Sequence, residues 1–153
     1  MREIILTIIT IFASITYAAQ APSVVVHNTT TNRNVISDNA DVVRPMASIT
    51  KLMTTMVALD TYTLDQKIPT GKKTSMTVEQ LLTNVLVRSD NNASELLAKA
   101  HPNGRNEFLR YMNLKAQILG LKNTEYHDAS GLIASNTTTA NELVQVVIAA
   151  GKY

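Results

Sequence analysis

Residues 43–54 read VRPMASITKLMT, and the apolar positions in and after this stretch recur at helical spacing. The pattern continues to Leu59 and predicts a buried helix that begins at or just before Ser48. Ser48 and Lys51 are three positions apart, so they share one face of that helix and their side chains can meet. Burial would lower the pKa of the lysine and allow it to take the serine proton. A capping serine beside a solvated lysine explains the same spacing.

A second polar motif, S-D-N at residues 89–91, follows another predicted helix. Residues 77–80 form a capping-box pattern, and the apolar positions after them predict a helix that ends near Val87. A loop at this point can present a hydroxyl and an amide to a cleft, although for this motif taken alone an ordinary helix cap is the better explanation. The order S-x-x-K and then S-D-N is typical of class A β-lactamases and penicillin-binding proteins.

The rest of the pattern predicts one α+β domain that is rich in helix. Two short β-branched runs, residues 23–27 and 34–37, flank a loop rich in Asn and Thr and indicate a β-hairpin. Further helices are predicted over residues 92–99, 106–119 and 139–151. The expected organisation is therefore a single N-terminal hairpin followed by a helical body.

The amino-acid composition excludes several kinds of partner and site. The chain has 153 residues, about one domain, and its 14 basic and 12 acidic side chains leave a net charge of only +2, which argues against a nucleic-acid partner. The absence of Cys excludes disulfides, thiolate metal sites and a Cys nucleophile. His27, His101 and His127 are too scattered for a local metal site. We therefore expect neither a metal nor a cofactor.

Residues 1–21 have the pattern of a secretory signal peptide. A charged start precedes an apolar run from Ile4 to about Ile15, and small residues follow. The run is shorter than the roughly 20 residues that a membrane span requires. The sequence predicts a mature domain at residues 22–153 that is secreted or periplasmic and touches the membrane only through this segment. The alternative is an uncleaved N-terminal anchor.

Around the two motifs, the sequence resembles the D-alanyl-D-alanine carboxypeptidases and is most similar to the small penicillin-binding D-alanyl-D-alanine endopeptidases. The resemblance extends from about Ser23 to the last residue and is carried by residues 43–54, 86–93, 101–104, 112–116, 119–124 and 128–132. It implies a fold of the β-lactamase/transpeptidase-like class, in which the helices pack on a sheet that includes the N-terminal hairpin.

The resemblance also implies the site residues. Ser48 would attack a D-alanyl carbonyl to form an acyl-enzyme, and Lys51 would take its proton. Ser89 would relay a proton to the leaving amine, and Asn91 would bind the substrate amide. The expected partners are peptidoglycan stem peptides, with β-lactams as acylating inhibitors. Residues 128–132 match a family segment with a structural role, in which Asp128 differs from the family residue.

The sequence departs from the family at the third motif, K-T-G, which lies on a later strand that forms one wall of the cleft. The nearest match, residues 73–75, lies between the first two motifs and carries Ser in place of Gly, and it reads as a polar approach to the helix at Thr77. The segment between Lys51 and Ser89 also looks short. The sequence thus predicts a C-terminally truncated domain that lacks the last strands of the sheet and exposes apolar surface.

Two hypotheses follow from these departures. The first is a serine D-Ala-D-Ala carboxypeptidase or endopeptidase, active alone or with a partner that completes its cleft. The second is a catalytically impaired, truncated homologue that binds peptidoglycan or a protein, or a gene remnant. A class A β-lactamase is disfavoured because the neighbours of Glu125, the nearest candidate for its deacylating glutamate, do not resemble that loop. A Ser-His-Asp hydrolase is disfavoured because the sequence has no G-x-S-x-G.

Overall fold

The computed structural model describes residues 21–153, so all but the last position of the predicted signal peptide lies outside the described residues. Within them the chain forms five α-helices: α1 (Thr50–Thr61), α2 (Val78–Val87), α3 (Asn91–Lys99), α4 (Arg105–Ile118) and α5 (Ala140–Ala150). It also forms six short strands: β1 (Val24–Asn28), β2 (Arg33–Asp38), β3 (Arg44–Pro45), β4 (Lys67–Pro69), β5 (Ser75–Thr77) and β6 (Thr137–Thr138). None of the helices in this part of the chain combines the length and apolar character needed to cross a bilayer.

Helix α1 lies at the centre of the hydrophobic core and contacts each of the other four helices. Met53 and Met56 of α1 are completely or almost completely buried. The side chains that bury them come from every surrounding helix and include Leu81, Leu97, Phe108 and Val146. Ile49, predicted as part of the same apolar face, is exposed because it lies in a 3₁₀ turn (Ala47–Ile49) that precedes α1. The core therefore fixes α1, and with it the turn that carries Ser48.

Strands β1 and β2 form the predicted antiparallel hairpin, with a bulge between Val26 and His27. Helix α5 packs against β1, and a groove between them is lined mainly by valine, leucine and isoleucine side chains. Val35 of β2 is 68% exposed and Val147 of α5 is 56% exposed. The apolar surface expected on the hairpin and on a helix beside it is therefore present.

Two further strand pairs were missing from the sequence prediction. β3 pairs with β6, and β4 pairs with β5, both antiparallel. Ser75 begins β5, so residues 73–75 lead into a strand and not directly into helix α2. Strands of two or three residues are too short to display an alternating pattern, which explains why the sequence does not reveal them. The β3–β6 pair has a consequence for the site, because it ties the chain before Ser48 to the loop after residue 128.

The N-terminus of α2 shows the predicted capping box. The Thr77 hydroxyl accepts a hydrogen bond from the Gln80 backbone N–H at 3.2 Å, and the Gln80 side-chain oxygen accepts one from the Thr77 N–H at 3.0 Å. Two backbone donors at the helix start are thereby satisfied.

Thr77→Ala is expected to destabilise the protein by about 1 kcal/mol, because it removes the cap while leaving the core intact. The free energy of unfolding from urea denaturation measures the effect. The control is Thr83→Ala, on the exposed surface of the same helix, where the hydroxyl bonds only to the Glu79 carbonyl one turn earlier. Equal losses in the two variants would contradict a specific capping role for Thr77.

Candidate active site

Ser48 lies at the surface in the 3₁₀ turn that leads into α1. The preceding residue, Ala47, adopts a φ of +47°, which residues other than glycine rarely do. The turn is held from both sides: the Met46 backbone N–H donates to the Asn136 carbonyl at 3.0 Å, and Gly131 packs directly against the Ala47 carbonyl. The strained turn thus presents the serine hydroxyl at the start of the central helix.

Lys51 is the second residue of α1, three positions after Ser48, and only 3% of its surface is exposed. Its Nζ donates to Ser48 Oγ at 3.1 Å, to Asn91 Oδ1 at 2.8 Å and to the Ser130 carbonyl at 2.7 Å. Burial lowers the pKa of Lys51 below its usual value, against the opposing attraction of nearby carboxylates. A lysine with a lowered pKa next to a serine hydroxyl can act as the base that activates it.

The S-D-N motif spans the connection between α2 and α3. Ser89 has a φ of +54°, and its Oγ donates to Ser48 Oγ at 3.1 Å. Asp90 is the N-cap of α3, because its carboxylate accepts the backbone N–H groups of residues 92 and 93. Asn91 is the first residue of α3. The capping interpretation therefore holds for Asp90, while Ser89 contacts Ser48 and Asn91 contacts Lys51.

The four site residues predicted from sequence therefore lie within one hydrogen-bonded cluster. Lys51 contacts Ser48 and Asn91, and Ser89 contacts Ser48. The fold brings the two motifs together because α1 and α3 pack against each other in the core.

The loop after α4 adds a contribution that the sequence did not reveal, because residues 128–132 carried only a structural expectation. The Ser130 carbonyl accepts a hydrogen bond from Lys51 Nζ, and the Ala129 carbonyl accepts one from the Thr54 hydroxyl at 2.6 Å. Both carbonyls are backbone groups, which every residue type carries. No side-chain pattern could therefore have identified them.

Asn136 joins this loop to the helix of the nucleophile. It is fully buried, and its Nδ2 donates to Thr50 Oγ1 and to the Asp128 carbonyl, both at 3.0 Å. Its Oδ1 accepts the backbone N–H groups of His127 at 2.7 Å and Asp128 at 3.1 Å. An amide that satisfies both its donors and its acceptor in the interior rigidly fixes the segments it connects. The sequence offers no signal that separates Asn136 from the other asparagines.

His101 and His127 contact neighbouring side chains away from Ser48 and Lys51. His101 is buried and its ring packs against the rings of Phe108 and Tyr111. His127 pairs with Glu125 at the surface. Within residues 21–153 there is no group of three or more His, Cys, Asp or Glu side chains placed to hold a metal ion.

Comparison with protein families gives one match that covers most of the chain. The family model of the D-alanyl-D-alanine carboxypeptidases matches residues 11–73 and 65–153. The two matched stretches overlap at residues 65–73, between α1 and α2 and within the segment from Lys51 to Ser89 that is expected to be short.

Two curated relatives are D-alanyl-D-alanine endopeptidases. The protein from Pseudomonas aeruginosa is 33% identical, and the match covers 100% of this chain and 60% of the relative. The protein from Escherichia coli is 36% identical, and the match covers 80% of this chain and 45% of the relative. The chain thus spans about half the length of these relatives.

Solved structures of similar fold come from the same group of enzymes. The D-alanyl-D-alanine carboxypeptidase DacD from Francisella tularensis is 28% identical with a TM-score of 0.76, over 85% of this chain and 36% of that one. Penicillin-binding protein D2 from Listeria monocytogenes, in its ampicillin-bound form, is 25% identical with a TM-score of 0.75, over 84% of this chain and 60% of that one. The predicted fold class is therefore confirmed.

Proposed function

The chain belongs to the D-alanyl-D-alanine carboxypeptidase family, and from this membership we propose that it is a serine peptidase that cleaves D-Ala-D-Ala or related D-alanyl bonds in peptidoglycan peptides. The observation that carries the proposal is the contact of the buried Lys51 amine with the exposed Ser48 hydroxyl. A protein that only bound peptidoglycan would have no need of a buried lysine against a surface serine, so the contact favours a peptidase over an inactive binding protein.

In the proposed acylation step, Lys51 Nζ takes the proton of Ser48 Oγ while that oxygen attacks the D-alanyl carbonyl carbon. The tetrahedral intermediate collapses, and the peptide C–N bond breaks. The leaving amine takes up the proton that Lys51 removed, by way of the Ser89 hydroxyl, which lies 3.1 Å from Ser48 Oγ. Water then hydrolyses the acyl-serine ester, releasing the carboxylic acid and restoring the Ser48 hydroxyl.

Asn91 has a divided role in this mechanism. Its side-chain oxygen accepts the hydrogen bond from Lys51, so its Nδ2 group is the part that would contact a substrate carbonyl. Peptidoglycan stem peptides are the proposed substrates. β-Lactams are the proposed acylating inhibitors, and the ampicillin-bound state of the Listeria relative supports this choice.

We also propose that the protein acts outside the cytoplasm. Peptidoglycan lies on that side of the membrane, and residues 1–21 have the composition of a secretory signal. In this proposal the membrane is contacted only through that segment.

Reaction with ampicillin tests the proposal. Opening the β-lactam ring loses no atoms, so the intact protein is expected to gain the mass of one ampicillin molecule. Peptide mapping should place the adduct on Ser48. A peptide that ends in D-Ala-D-Ala should release D-alanine, which an amino-acid assay detects. A folded protein that gains no adduct, or gains one only at another residue, would disprove the proposed nucleophile.

A further inference from the structure

The carboxylate of Asp128 organises the turn that lies beside Lys51. Asp128 is 3% exposed, and its Oδ1 accepts hydrogen bonds from the backbone N–H groups of Ser130, at 2.7 Å, and Gly131. Its Oδ2 accepts one from the Ile133 N–H at 2.9 Å. Three backbone contacts to one carboxylate fix the path of residues 130–133, and with it the direction of the Ser130 carbonyl.

The position of the Ser130 carbonyl affects the direction of the Lys51 lone pair when the amine is neutral. An ammonium group has three N–H donors, whereas the neutral amine has two donors and one lone pair. The Ser130 carbonyl and Asn91 Oδ1 can only accept, so both stay satisfied in the neutral state when the two remaining N–H bonds point at them. The lone pair is then directed at Ser48 Oγ, the third neighbour.

We propose that Asp128 is a positioning residue for acylation: its carboxylate holds the Ser130 carbonyl against Lys51, so that the lone pair of the amine faces Ser48, and it places a fixed negative charge beside the lysine. This inference rests on the proposed function, because it assigns a part in the same proton transfer. Asp128 does not touch the reacting atoms; it acts through the turn and through its charge.

The charge of Asp128 follows from its surroundings. Burial alone would raise the pKa of the carboxyl, but the backbone N–H groups of Ile133, Gly131 and Ser130 outweigh it and hold the pKa below its usual value. The group is therefore ionised at neutral pH. The anion attracts a proton to Lys51 and opposes the lowering of the lysine pKa by burial.

Other charged groups near Lys51 or its loop keep their charge when Asp128 is changed. Asp90, the cap of α3, also raises the pKa of Lys51. Glu95 of α3 forms an ion pair with Arg105 at 2.7 Å and accepts the Ala129 N–H at 3.2 Å, so its charge is largely compensated. The removal of the Asp128 charge is therefore expected to leave Lys51 with a lower pKa.

The first test is Asp128→Asn, followed by the rate of ampicillin acylation as a function of pH. The rate should rise with pH as Lys51 loses its proton. The variant lacks the anion that favours the protonated lysine, so the midpoint of this rise should move to lower pH. The plateau rate should fall by about 10–10²-fold, because a displacement of about 1 Å in a catalytic arrangement can lower the rate by up to about 10²-fold. As a control, Asp65→Asn removes an equal charge at an exposed position and should change neither the midpoint nor the plateau rate.

A second variant separates the effect of the turn geometry from the effect of the charge at residue 128. Asp128→Glu keeps the negative charge but lengthens the side chain, so it should lower the plateau rate through displacement of the turn and shift the midpoint less than Asp128→Asn does. A wild-type midpoint in Asp128→Asn, or a wild-type rate in Asp128→Glu, would overturn the proposal.

Direct titration of Lys51 distinguishes failure of this proposal from failure of the proposed function. NMR of the lysine side chain in the full chain, with and without Asp128→Asn, measures the lysine pKa without any reaction. A lower midpoint in the variant would support the inference even in a protein that does not acylate. An unchanged midpoint would refute it even in an active one.

Discussion

Replacing Lys51 with methionine is expected to lower the rate of ampicillin acylation at Ser48 by about 10²–10⁴-fold, the usual contribution of a general base. Methionine has a similar length and fits the same buried path along α1, but it cannot accept a proton. The serine would then keep its proton during attack and remain a poor nucleophile. The time course of adduct formation, followed by intact-protein mass, measures the change.

Two further variants serve as controls, one at Ser48 and one at a second lysine. Ser48→Ala removes the attacking oxygen and defines the signal of a protein that cannot be acylated. Lys99→Met changes an exposed lysine near the end of α3 and should leave the rate unchanged. A Lys51→Met protein that acylates within about tenfold of the wild-type rate would show that another group removes the serine proton.

Gly131→Ala is expected to reduce the free energy of unfolding by about 2–5 kcal/mol, from overpacking and backbone strain together. A Cβ at this position would lie 1.8 Å from the Ala47 carbonyl oxygen and 2.8 Å from Thr50 Oγ1. The first of these atoms belongs to the backbone of the nucleophile turn, so it cannot move aside without displacing Ser48. The φ of Gly131, +78°, adds strain for any residue that carries a Cβ.

Gly120→Ala is the matched control, because Gly120 has nearly the same φ, +75°, but a Cβ there would meet nothing within 4 Å. It should lose only about 1–2 kcal/mol, the cost of a left-handed backbone for alanine. Urea denaturation of both variants isolates the steric part of the effect. Equal losses would mean that the contact between residue 131 and the nucleophile turn is not tight.

Local sequence patterns predicted side-chain contacts correctly where the contacting residues lie within one helical turn. The spacing of Ser48 and Lys51 and the capping box at Thr77 depend only on residues within one turn, and the structure shows both arrangements. Residues 139–142, at the start of α5, have the same T-x-x-E/Q pattern, but the capping box there is only half formed. Thr139 caps Glu142, but the Glu142 carboxylate instead accepts hydrogen bonds from residues 122–124. The Glu142 carboxylate therefore binds the loop at residues 122–124 and not the backbone N–H of Thr139.

The sequence alone determined the family, the central helix and the four candidate site residues, because these depend on side-chain identity and short spacing. Only the tertiary structure decided what surrounds the Lys51 amine. The Ser130 carbonyl reaches it from 79 positions away along the chain. Asn136 links the same loop to Thr50 across 86 positions. Backbone carbonyls carry no side-chain signature, and contacts over such distances exist only after the helices have packed, so no local pattern could reveal them.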